Sequence, residues 1–345
     1  MRLLMPRLKL FSAFKVDLLI YTIIAAHIAT TYATNKAIGS KHSFDITDTF
    51  YIFGLLSCVY VALLPIGICI KYILNALKGI NNNSLEGVKT YKAFNPNNIT
   101  GAGLFLGVGL LLGSYRDFKK MMPEISPFTW DVTFANLDRM IHRADPWQYL
   151  TLLNRYYEPI LWTYATVWHF AHALLTLSIC VTQAKIRTRY LLTYVSTWIV
   201  AGNLVPLFFM AVGPIFYERL TGDDRFTGLS DRLYSLADPS LPASLIPDRL
   251  WQTYVSHSNF VGGGISAFPS LHVAMSMLLF LAAKSYGNLA GGVAFAFLIF
   301  TMLASVHLGW HYAVDGYASI LIVWGLWHFW SWVEERHLNK EPLTA

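Results

Sequence analysis

The chain has 345 residues, of which 55% are hydrophobic and only 13% are charged, and its mean hydropathy is +0.44. Since an average soluble domain carries about 25% charged residues, this composition excludes a soluble globule, a disordered chain and a disulfide-stapled secreted module. The net charge of +6 fits lysines and arginines in loops that flank a membrane, and no basic run interleaved with aromatic residues indicates a nucleic acid partner. We therefore expect an all-α integral membrane protein.

Eight segments are apolar and long enough to be membrane helices, which need about 20 such residues. A basic stretch, from Met1 to Lys15, precedes the first segment and lacks a small-residue cleavage signal, so we expect it to be retained on the cytoplasmic side. The predicted spans are 16–34, 49–77, 100–117, 156–182, 190–216, 268–284, 288–308 and 311–332.

The charges of the connecting segments predict an orientation. With a cytoplasmic N-terminus and alternating spans, the cytoplasmic segments hold 14 of the 26 Lys and Arg residues but only 5 of the 20 Asp and Glu residues. The clearest contribution comes from the short loop that carries Lys185, Arg187 and Arg189. Because positive residues accumulate on the cytoplasmic side, we expect both termini in the cytoplasm.

The spans divide the chain into three parts. We expect residues 1–99 to form an N-terminal two-helix extension, residues 100–332 a six-helix domain, and residues 333–345 a cytoplasmic tail. Two long segments of the six-helix domain, 118–155 and 217–267, fall on the outer side.

The two long outer segments have different compositions. In segment 118–155 apolar residues recur near helical spacing, which is typical of an amphipathic helix on a membrane surface. Segment 217–267 is rich in Asp, Arg, Gly and Pro. Lids and binding loops are the usual reason for so long a connection, and a solvated spacer is the alternative. The apolar residues of the first segment are Trp130, Phe134, Leu137, Met140 and Ile141.

Two clusters of residues carry candidate chemistry, and both lie at the outer face in the predicted topology. The first, Gly-Gly-Gly-Ile-Ser-Ala-Phe-Pro-Ser-Leu-His, runs from Gly262 to His272 and opens the sixth span. Glycines such as Gly264 let backbone N–H groups approach a ligand closely, and Pro269 suits the first turn of a helix. Ser270 and the free N–H groups of a helix N-terminus favour an anion such as phosphate. An ordinary glycine-rich loop that enters a helix is the alternative.

The second cluster, His-Leu-Gly-Trp-His-Tyr-Ala-Val-Asp, runs from His307 to Asp315. His311 and Asp315 are four residues apart, which places them on one face of a helix. A carboxylate bonded to one imidazole nitrogen fixes the tautomer and leaves the other nitrogen free as a nucleophile or base. A structural His–Asp pair that holds two helices together is the alternative.

A metal site is another interpretation of the histidines. His307, His311 and Asp315 recur every four residues, and His169 and His172 are three residues apart in the fourth span; metal ligands use such spacings. The chain has no adjacent His-His pair, and the histidines of the fourth span lie away from the outer face, so we expect no metal and no other cofactor. Four histidines are expected to bond to neighbouring helices inside the bundle: His27, His169, His172 and His328.

Phe-Pro-Ser-Leu-His at 268–272, followed by His-Tyr-Ala-Val-Asp at 311–315, resembles the second and third signatures of the type 2 phosphatidic acid phosphatase (PAP2) superfamily. The motifs are most similar to the branch that includes inositol phosphorylceramide synthase and sphingomyelin synthase, whereas the phosphatase branch more often carries Pro-Ser-Gly-His. The stretch from Leu137 to Trp147 also looks like one seen in bacterial members. The resemblance covers roughly residues 100–330 and implies a six-helix membrane core.

The resemblance also implies roles for individual residues. His311 would attack phosphorus to form a phosphohistidine, Asp315 would orient it, and His272 would protonate the leaving oxygen and then activate the acceptor. Ser270, Gly264 and nearby backbone amides would hold the phosphoryl oxygens, whose charge grows in the transition state.

Two features depart from the phosphatase pattern. Ser305 stands where that pattern has an arginine, six residues before the nucleophilic histidine, and the first signature, Lys followed by Arg-Pro, is not present before the second motif. A cation should still meet the phosphate. Arg219, at the outer end of the fifth span, is the first candidate, and Arg225 and Lys119 are further candidates.

These expectations converge on a membrane-embedded lipid phosphotransferase, similar to phosphosphingolipid synthases, with its active site on the periplasmic or lumenal face. A PAP2-type lipid phosphate phosphatase, acting on phosphatidate, isoprenoid phosphate or lipid A phosphate, is the alternative, because it shares every catalytic residue named above. A membrane transporter or lipid-binding protein without turnover is the alternative from another class. The expected partner is a phospholipid or lipid phosphate in the bilayer; the sequence defines neither its head group, nor the acceptor, nor the oligomeric state.

Overall fold

The structure, a computed structural model, describes residues 4–42, 44–45, 47, 96–181, 186–257 and 263–338. The expected second span and the end of the expected cytoplasmic tail lie outside these residues. Within the described residues every regular element is helical, so this part of the chain has the expected all-α class.

The longer helices account for most of the described chain. They are α1 (Leu4–Ile38), α2 (Pro96–Ile125), α3 (Asp131–His142), α4 (Trp168–Val181), α5 (Arg187–Phe208), α6 (Thr227–Leu236), α7 (Ile246–Ser256), α8 (Leu271–Lys284), α9 (Asn288–His307) and α10 (Ala313–Val333). Shorter helical turns connect them, namely Pro146–Tyr156, Tyr157–Trp162, Thr163–Val167, Pro214–Phe216, Tyr217–Thr221, Asp224–Phe226, Pro242–Leu245 and Glu334–Leu338.

Three of the described helices are long and apolar enough to cross a membrane: Val16–Ile38 within α1, all of α5, and α9. Helix α8 is apolar but shorter. These helices support the membrane character of the protein. The number of eight spans and the orientation remain predictions.

One predicted span ends earlier than expected. The span 190–216 leaves the helix at Phe209, whose backbone angles are φ −133° and ψ 46°. The next carbonyl, of Met210, accepts hydrogen bonds from the N–H groups of Thr129 and Trp130 at 3.2 and 3.1 Å. The residues after Phe208 are therefore apolar because they pack inside the protein, between loops.

The helices pack around α8, which contacts α5, α9 and α10, while α1 packs against α2 and α5. His27 of α1 links three helices, as expected for a bundle-facing histidine: its Nδ1 lies 2.9 Å from Ser114 Oγ of α2, and its Nε2 lies 2.9 Å from Asn203 Oδ1 of α5. One apolar cluster fills the bundle and a second lies at the end where the motifs meet. Residues of the second cluster include Phe134, Tyr164, Phe216, Leu229 and Tyr312.

The amphipathic helix predicted for the outer segment forms as α3. Met140 and Ile141 are 73% and 51% exposed, and the contact of this face with a membrane surface remains a prediction. Asp131 and Asp138 are buried together with Phe134, which the apolar pattern does not predict, because two carboxylates point into the protein to bind backbone groups. These contacts belong to the functional site.

Candidate active site

Three loops meet at the end of the bundle where the two motifs lie. They are the 209–216 loop, the 264–270 loop and the 308–312 loop. The N–H of Ala267 donates to the carbonyl of Ala211 at 2.8 Å, and the N–H of Ile215 donates to the carbonyl of Gly309 at 2.8 Å. These backbone bonds hold the loops in one layer, so the motifs are adjacent although His272 and His311 are 39 positions apart in the sequence.

Gly213 allows two of these loops to touch. Its backbone has φ +91°, which disfavours a side chain, and a Cβ at this position would lie 2.6 Å from the carbonyl oxygen of Trp310. Glycine is the residue that tolerates both conditions. The close approach of the 209–216 and 308–312 loops therefore depends on Gly213.

His311 is held with one nitrogen fixed and the other free. Its Nδ1 lies 2.7 Å from the carbonyl oxygen of Ala267 and 3.2 Å from Oδ2 of Asp315. Both neighbours are acceptors, so Nδ1 must carry the proton and Nε2 must present its lone pair. This is the tautomer that a nucleophilic histidine requires.

Asp315 has two structural tasks. It is fully buried in the first turn of α10, and its Oδ2 accepts the N–H of Tyr312 at 3.0 Å as well as facing His311. A carboxylate that caps its own helix cannot easily turn away, so the position of the acid is fixed relative to the imidazole. The i, i+4 pairing predicted from the sequence is present.

His272 lies in the first turn of α8, between two aromatic rings. Its ring is 4.1 Å from that of Tyr164, nearly parallel to it, and 4.2 Å from that of Trp168. Trp168 also donates from Nε1 to the backbone carbonyl of His272 at 3.0 Å. The Nε2 of His272 is buried without a hydrogen-bond partner among the described residues, so it is available to a ligand.

One cavity of about 380 Å³ joins both histidines, which lie in its wall. Most of the wall is apolar, and aromatic rings form much of it. Lys119, His169 and Ser266 also line it. A space with apolar walls and a few cationic or imidazole groups suits an amphiphilic anion. The apolar lining includes Trp168, Trp198, Ile215, Phe216, Ile246 and Leu250.

The two predicted phosphate-holding residues of the first motif have different surroundings. Gly264 lines the cavity with φ +96° and lies close to the backbone of Lys119 and Lys120. Ser270 is fully buried, and its hydroxyl accepts the N–H of Val273 at 3.5 Å as the cap of α8. Ser270 is not part of the cavity wall, so its contribution is to fix the helix end beside which His272 lies.

Of the three candidate cations, only Lys119 lies in the cavity wall. A Cβ on Gly264 would lie 3.0 Å from Lys119 Cγ, so the aliphatic stem packs on the glycine backbone. The ammonium lies close enough to His272 and His311 to act on both electrostatically. Among the described residues no carboxylate pairs with it.

The two arginine candidates are occupied elsewhere. Arg219 donates to Asp248 at 2.8 Å and to the hydroxyl of Tyr234 at 2.6 Å. Burial raises the pKa of Asp248, but the bonds from Arg219 and Tyr234 outweigh it and hold that pKa below its usual range. Arg225 donates to Asp145 at 2.6 Å. Neither arginine lines the cavity.

Three carboxylates seven residues apart support the loops from outside, and we call them the aspartate brace: Asp131, Asp138 and Asp145. Asp131 accepts the N–H groups of Val212 and Gly213 at 2.9 Å each, and the hydroxyl of Tyr312 at 2.9 Å. The sequence interpretation missed this role. Its available signal was the i, i+7 spacing, which returns to one helix face.

The rest of the brace reaches α10 and two arginines. Asp138 accepts the N–H groups of Ala313 and Val314 at 2.7 and 2.9 Å, while burial raises its pKa against the effect of these bonds. Asp145 pairs with Arg225 and Arg139 at 2.6 and 2.5 Å. Burial alone raises the pKa of Asp145, but the two arginines outweigh it and lower that pKa.

Among the remaining histidines of the described residues, His169 lies in the cavity wall with His311, and its ring is 5.9 Å from that of His272, so the expectation that this histidine lies away from the outer-face motifs was wrong. The carbonyl of His307 accepts from Arg232 at 2.6 Å and its Nδ1 lies 3.3 Å from the same guanidinium, so it does not form a metal set with His311 and Asp315. His169 bonds to the carbonyl of Ala165 in its own helix, and His328 is exposed. The expectation that these two histidines bond to neighbouring helices was therefore wrong.

His172 and Ser305 complete the comparison with the sequence predictions. His172 is buried, but neither of its ring nitrogens has a hydrogen-bond partner among the described residues. Ser305, in place of the family's arginine, donates to the carbonyl of Met302 in its own helix. Its carbonyl accepts the N–H groups of Trp310 and His311 at 3.1 and 3.3 Å, so the residue shapes the turn that carries His311.

The comparisons with known proteins agree with this arrangement. No curated protein and no solved structure matches the chain. The sequence profile of the PAP2 superfamily matches residues 140–329, more than half of the chain, and the matched region contains His272, His311 and Asp315. The chain therefore belongs to the PAP2 superfamily, whose members are generally phosphatases and phosphotransferases that act on lipid phosphates.

Proposed function

We propose that this protein is a lipid phosphotransferase that transfers a phosphoryl-containing group through a phosphohistidine on His311. The observation that carries the proposal is the fixed tautomer of His311. Two acceptors, the Ala267 carbonyl and Asp315, surround Nδ1, so the nucleophilic lone pair is on Nε2. The ring lies in the wall of the same cavity as His272 and Lys119.

The cavity supports a lipid phosphate as the substrate. Its aromatic and aliphatic wall suits acyl chains, and the ammonium of Lys119 suits a phosphate. The N-terminus of α8, at Leu271 and His272, also borders the cavity, where free N–H groups and the helix dipole favour an anion. Lys119 would therefore supply the positive charge that, in the family pattern, comes from the arginine missing in this chain.

In the first step Nε2 of His311 attacks phosphorus, and the bond between phosphorus and the leaving oxygen breaks. His272 gives its proton to that oxygen, while Asp315 stabilises the positive charge that develops on His311. Lys119 and the N–H groups of α8 stabilise the charge on the phosphoryl oxygens.

In the second step His272, now neutral, removes a proton from the acceptor hydroxyl. The acceptor oxygen attacks phosphorus, and the bond between phosphorus and His311 breaks. The enzyme returns to its starting state with the proton again on His272. An alcohol acceptor makes the protein a transferase, and water makes it a phosphatase.

We favour an alcohol acceptor, as in phosphosphingolipid synthases. The supporting features are the side chain of Leu271, which lines the cavity where phosphatases more often carry glycine, and the apolar wall, which suits a lipid alcohol better than water. The lipid phosphate phosphatase is the second candidate, because His272, His311 and Asp315 serve either acceptor.

The experiment measures how radiolabelled phosphate divides between an acceptor lipid and inorganic phosphate. Purified protein in lipid vesicles is given a radiolabelled lipid phosphate, first alone and then with ceramide or diacylglycerol. When the acceptor lipid is present, we expect the radiolabel to appear in it and the release of inorganic phosphate to fall. Release that is rapid without an acceptor and unchanged by it would identify the phosphatase instead.

A comparison of variants tests the alternative of a transporter or lipid-binding protein without turnover. We expect His311→Ala to reduce transfer by about six orders of magnitude, as removal of a nucleophile does, and the exposed His328→Gln to leave it unchanged. Rapid quenching in alkaline detergent should trap a labelled, alkali-stable and acid-labile phosphohistidine in the wild type only. Equal product formation by wild type and His311→Ala would end the catalytic proposal.

A further inference from the structure

A second group of candidate ligands lies apart from the catalytic histidines, and none of its members is used by the proposed reaction. The group consists of His42, in the segment after α1, Glu124, in the last turn of α2, and His257, at the end of α7. One ligand atom from each lies within 4.8 Å of the others. These residues are far apart in the sequence, so only the fold brings them together.

The two histidines are short of hydrogen-bond partners. His42 is buried, and the Nδ1 atoms of both His42 and His257 are buried without a partner among the described residues. The Nε2 of His42 lies 3.8 Å from Oε1 of Glu124, and the two rings are 5.5 Å apart. Buried imidazole nitrogens without partners carry a desolvation cost, which a metal ion offsets.

The backbone holds both histidines in place. The carbonyl of His42 accepts from Asn35 of α1 at 2.8 Å, and its N–H donates to Ser40 at 3.1 Å. His257 ends α7 in the left-handed region, at φ 52° and ψ 27°, where glycine is the usual residue. A histidine in this strained position is consistent with a role for its side chain.

Among the described residues no lysine or arginine forms an ion pair with the Glu124 carboxylate. Lys120, which acts electrostatically on His42, pairs with Asp117 at 3.6 Å. Glu124 therefore faces His42 with its charge available. Two imidazoles and one carboxylate form a ligand set that suits a borderline divalent ion, and tetrahedral zinc accepts such a set with a fourth position left to water.

We propose that His42, Glu124 and His257 form a zinc(II) site that fastens the end of α7 to α1 and α2. The site is distinct from the catalytic centre, whose chemistry needs no metal in our proposal. Gly264 of the cavity wall is only seven positions after His257 in the sequence. Zinc would thus anchor the chain that leads into the first motif.

The test is zinc binding by the purified full-length protein after removal of metal with a chelator. Competition with a chromophoric zinc indicator should show one equivalent bound with micromolar or tighter affinity. His42→Gln, Glu124→Gln and His257→Gln should each weaken binding at least about tenfold. His328→Gln, at an exposed histidine of α10, should bind zinc as the wild type does. Cobalt(II) should give the visible bands of a four-coordinate site in the wild type and in His328→Gln, but not in the three ligand variants.

His257→Gly separates loss of a ligand from loss of folding. Glycine accepts the left-handed backbone without strain, so in chelator this variant should unfold at the same temperature as the wild type or higher. Added zinc should raise the unfolding temperature of the wild type and leave that of His257→Gly unchanged. The proposal is overturned if the wild type binds no zinc, or if the variants bind it as tightly as the wild type does. Activity is not a readout here, so failure of the zinc site would not bear on the phosphotransferase proposal.

Discussion

The cavity and the aspartate brace both concentrate charged groups at one end of the bundle, yet they use them in opposite ways. In the brace each carboxylate meets two or more donors at hydrogen-bond distance, mostly backbone N–H groups and arginines. In the cavity the ammonium of Lys119 and the Nε2 of His272 have no such partner among the described residues. Charged groups that have hydrogen-bond partners stabilise the fold, whereas buried polar groups without partners are available to bind a substrate.

The first prediction tests this contrast by removing the positive charge of one residue in the cavity wall and of one paired residue outside it. Lys119→Met keeps the length and packing of the side chain but removes the charge, so we expect kcat/KM to fall by about 10²- to 10³-fold, the effect of losing one group that stabilises an oxyanion. Arg219→Met is the matched control, because that arginine is paired with Asp248 outside the cavity, and we expect it to stay within about threefold of wild type.

Lys119→Arg refines the same comparison. It restores the positive charge, but a guanidinium is larger and the stem already touches Gly264, so partial recovery is expected. Wild-type kcat/KM in Lys119→Met, or an equal loss in Arg219→Met, would show that another group meets the phosphate.

The second prediction concerns the contact between loops at Gly213. In Gly213→Ala the new methyl group would lie 2.6 Å from the carbonyl oxygen of Trp310 on a backbone with positive φ, so we expect about 2–4 kcal/mol of destabilisation. Gly222→Ala is the control, since that glycine also has positive φ but no atom near its missing Cβ. It should cost about 1 kcal/mol. Unfolding temperatures of both variants measure the difference, and equal temperatures would contradict the steric argument.

The third prediction concerns the brace itself. Asp138→Asn leaves one oxygen for two N–H donors, those of Ala313 and Val314, and turns an amide donor toward one of them. We expect about 2 kcal/mol of destabilisation, which lowers the unfolding temperature by roughly 5 °C. The rate per folded molecule should change less than tenfold. A large loss of rate at an unchanged unfolding temperature would instead indicate that Asp138 takes part in catalysis.

The candidate catalytic residues could be predicted from the sequence, whereas the partners of the aspartate brace could not. His272, His311 and Asp315 stand in short motifs at the ends of apolar segments, and the roles proposed for them come from the resemblance of these motifs to the PAP2 signatures, because spacing alone left a structural His–Asp pair open. Asp131 and Asp138 bind backbone N–H groups, which every residue carries, so their partners leave no trace in the sequence.

Lys119 is a second case in which the sequence alone does not identify a residue of the candidate site. Four charged residues follow one another closely in this part of α2, and the sequence does not say which is free. Successive residues of a helix point about 100° apart, so Lys119 turns to the cavity while Lys120 turns to Asp117. Arg116 also pairs with Asp117, at 3.2 Å. Only the packing around α2 separates a functional lysine from structural ones.

The smallest expected effect is the pH dependence of Asp145. Burial raises the pKa of this carboxyl, but Arg225 and Arg139 lower it by more and hold it below its usual value of 3.8. The folded state therefore binds a proton less readily than the unfolded state does. The stabilisation is then complete above pH 3.8 and is lost as the pH falls through the lower, folded-state pKa. Asp145→Asn should therefore be about 1–2 kcal/mol less stable than wild type at pH 7, with the same difference at pH 5. The two unfolding temperatures should approach each other only below pH 3.8; convergence between pH 7 and pH 5 would mean that Asp145 is not held ionised by its arginines.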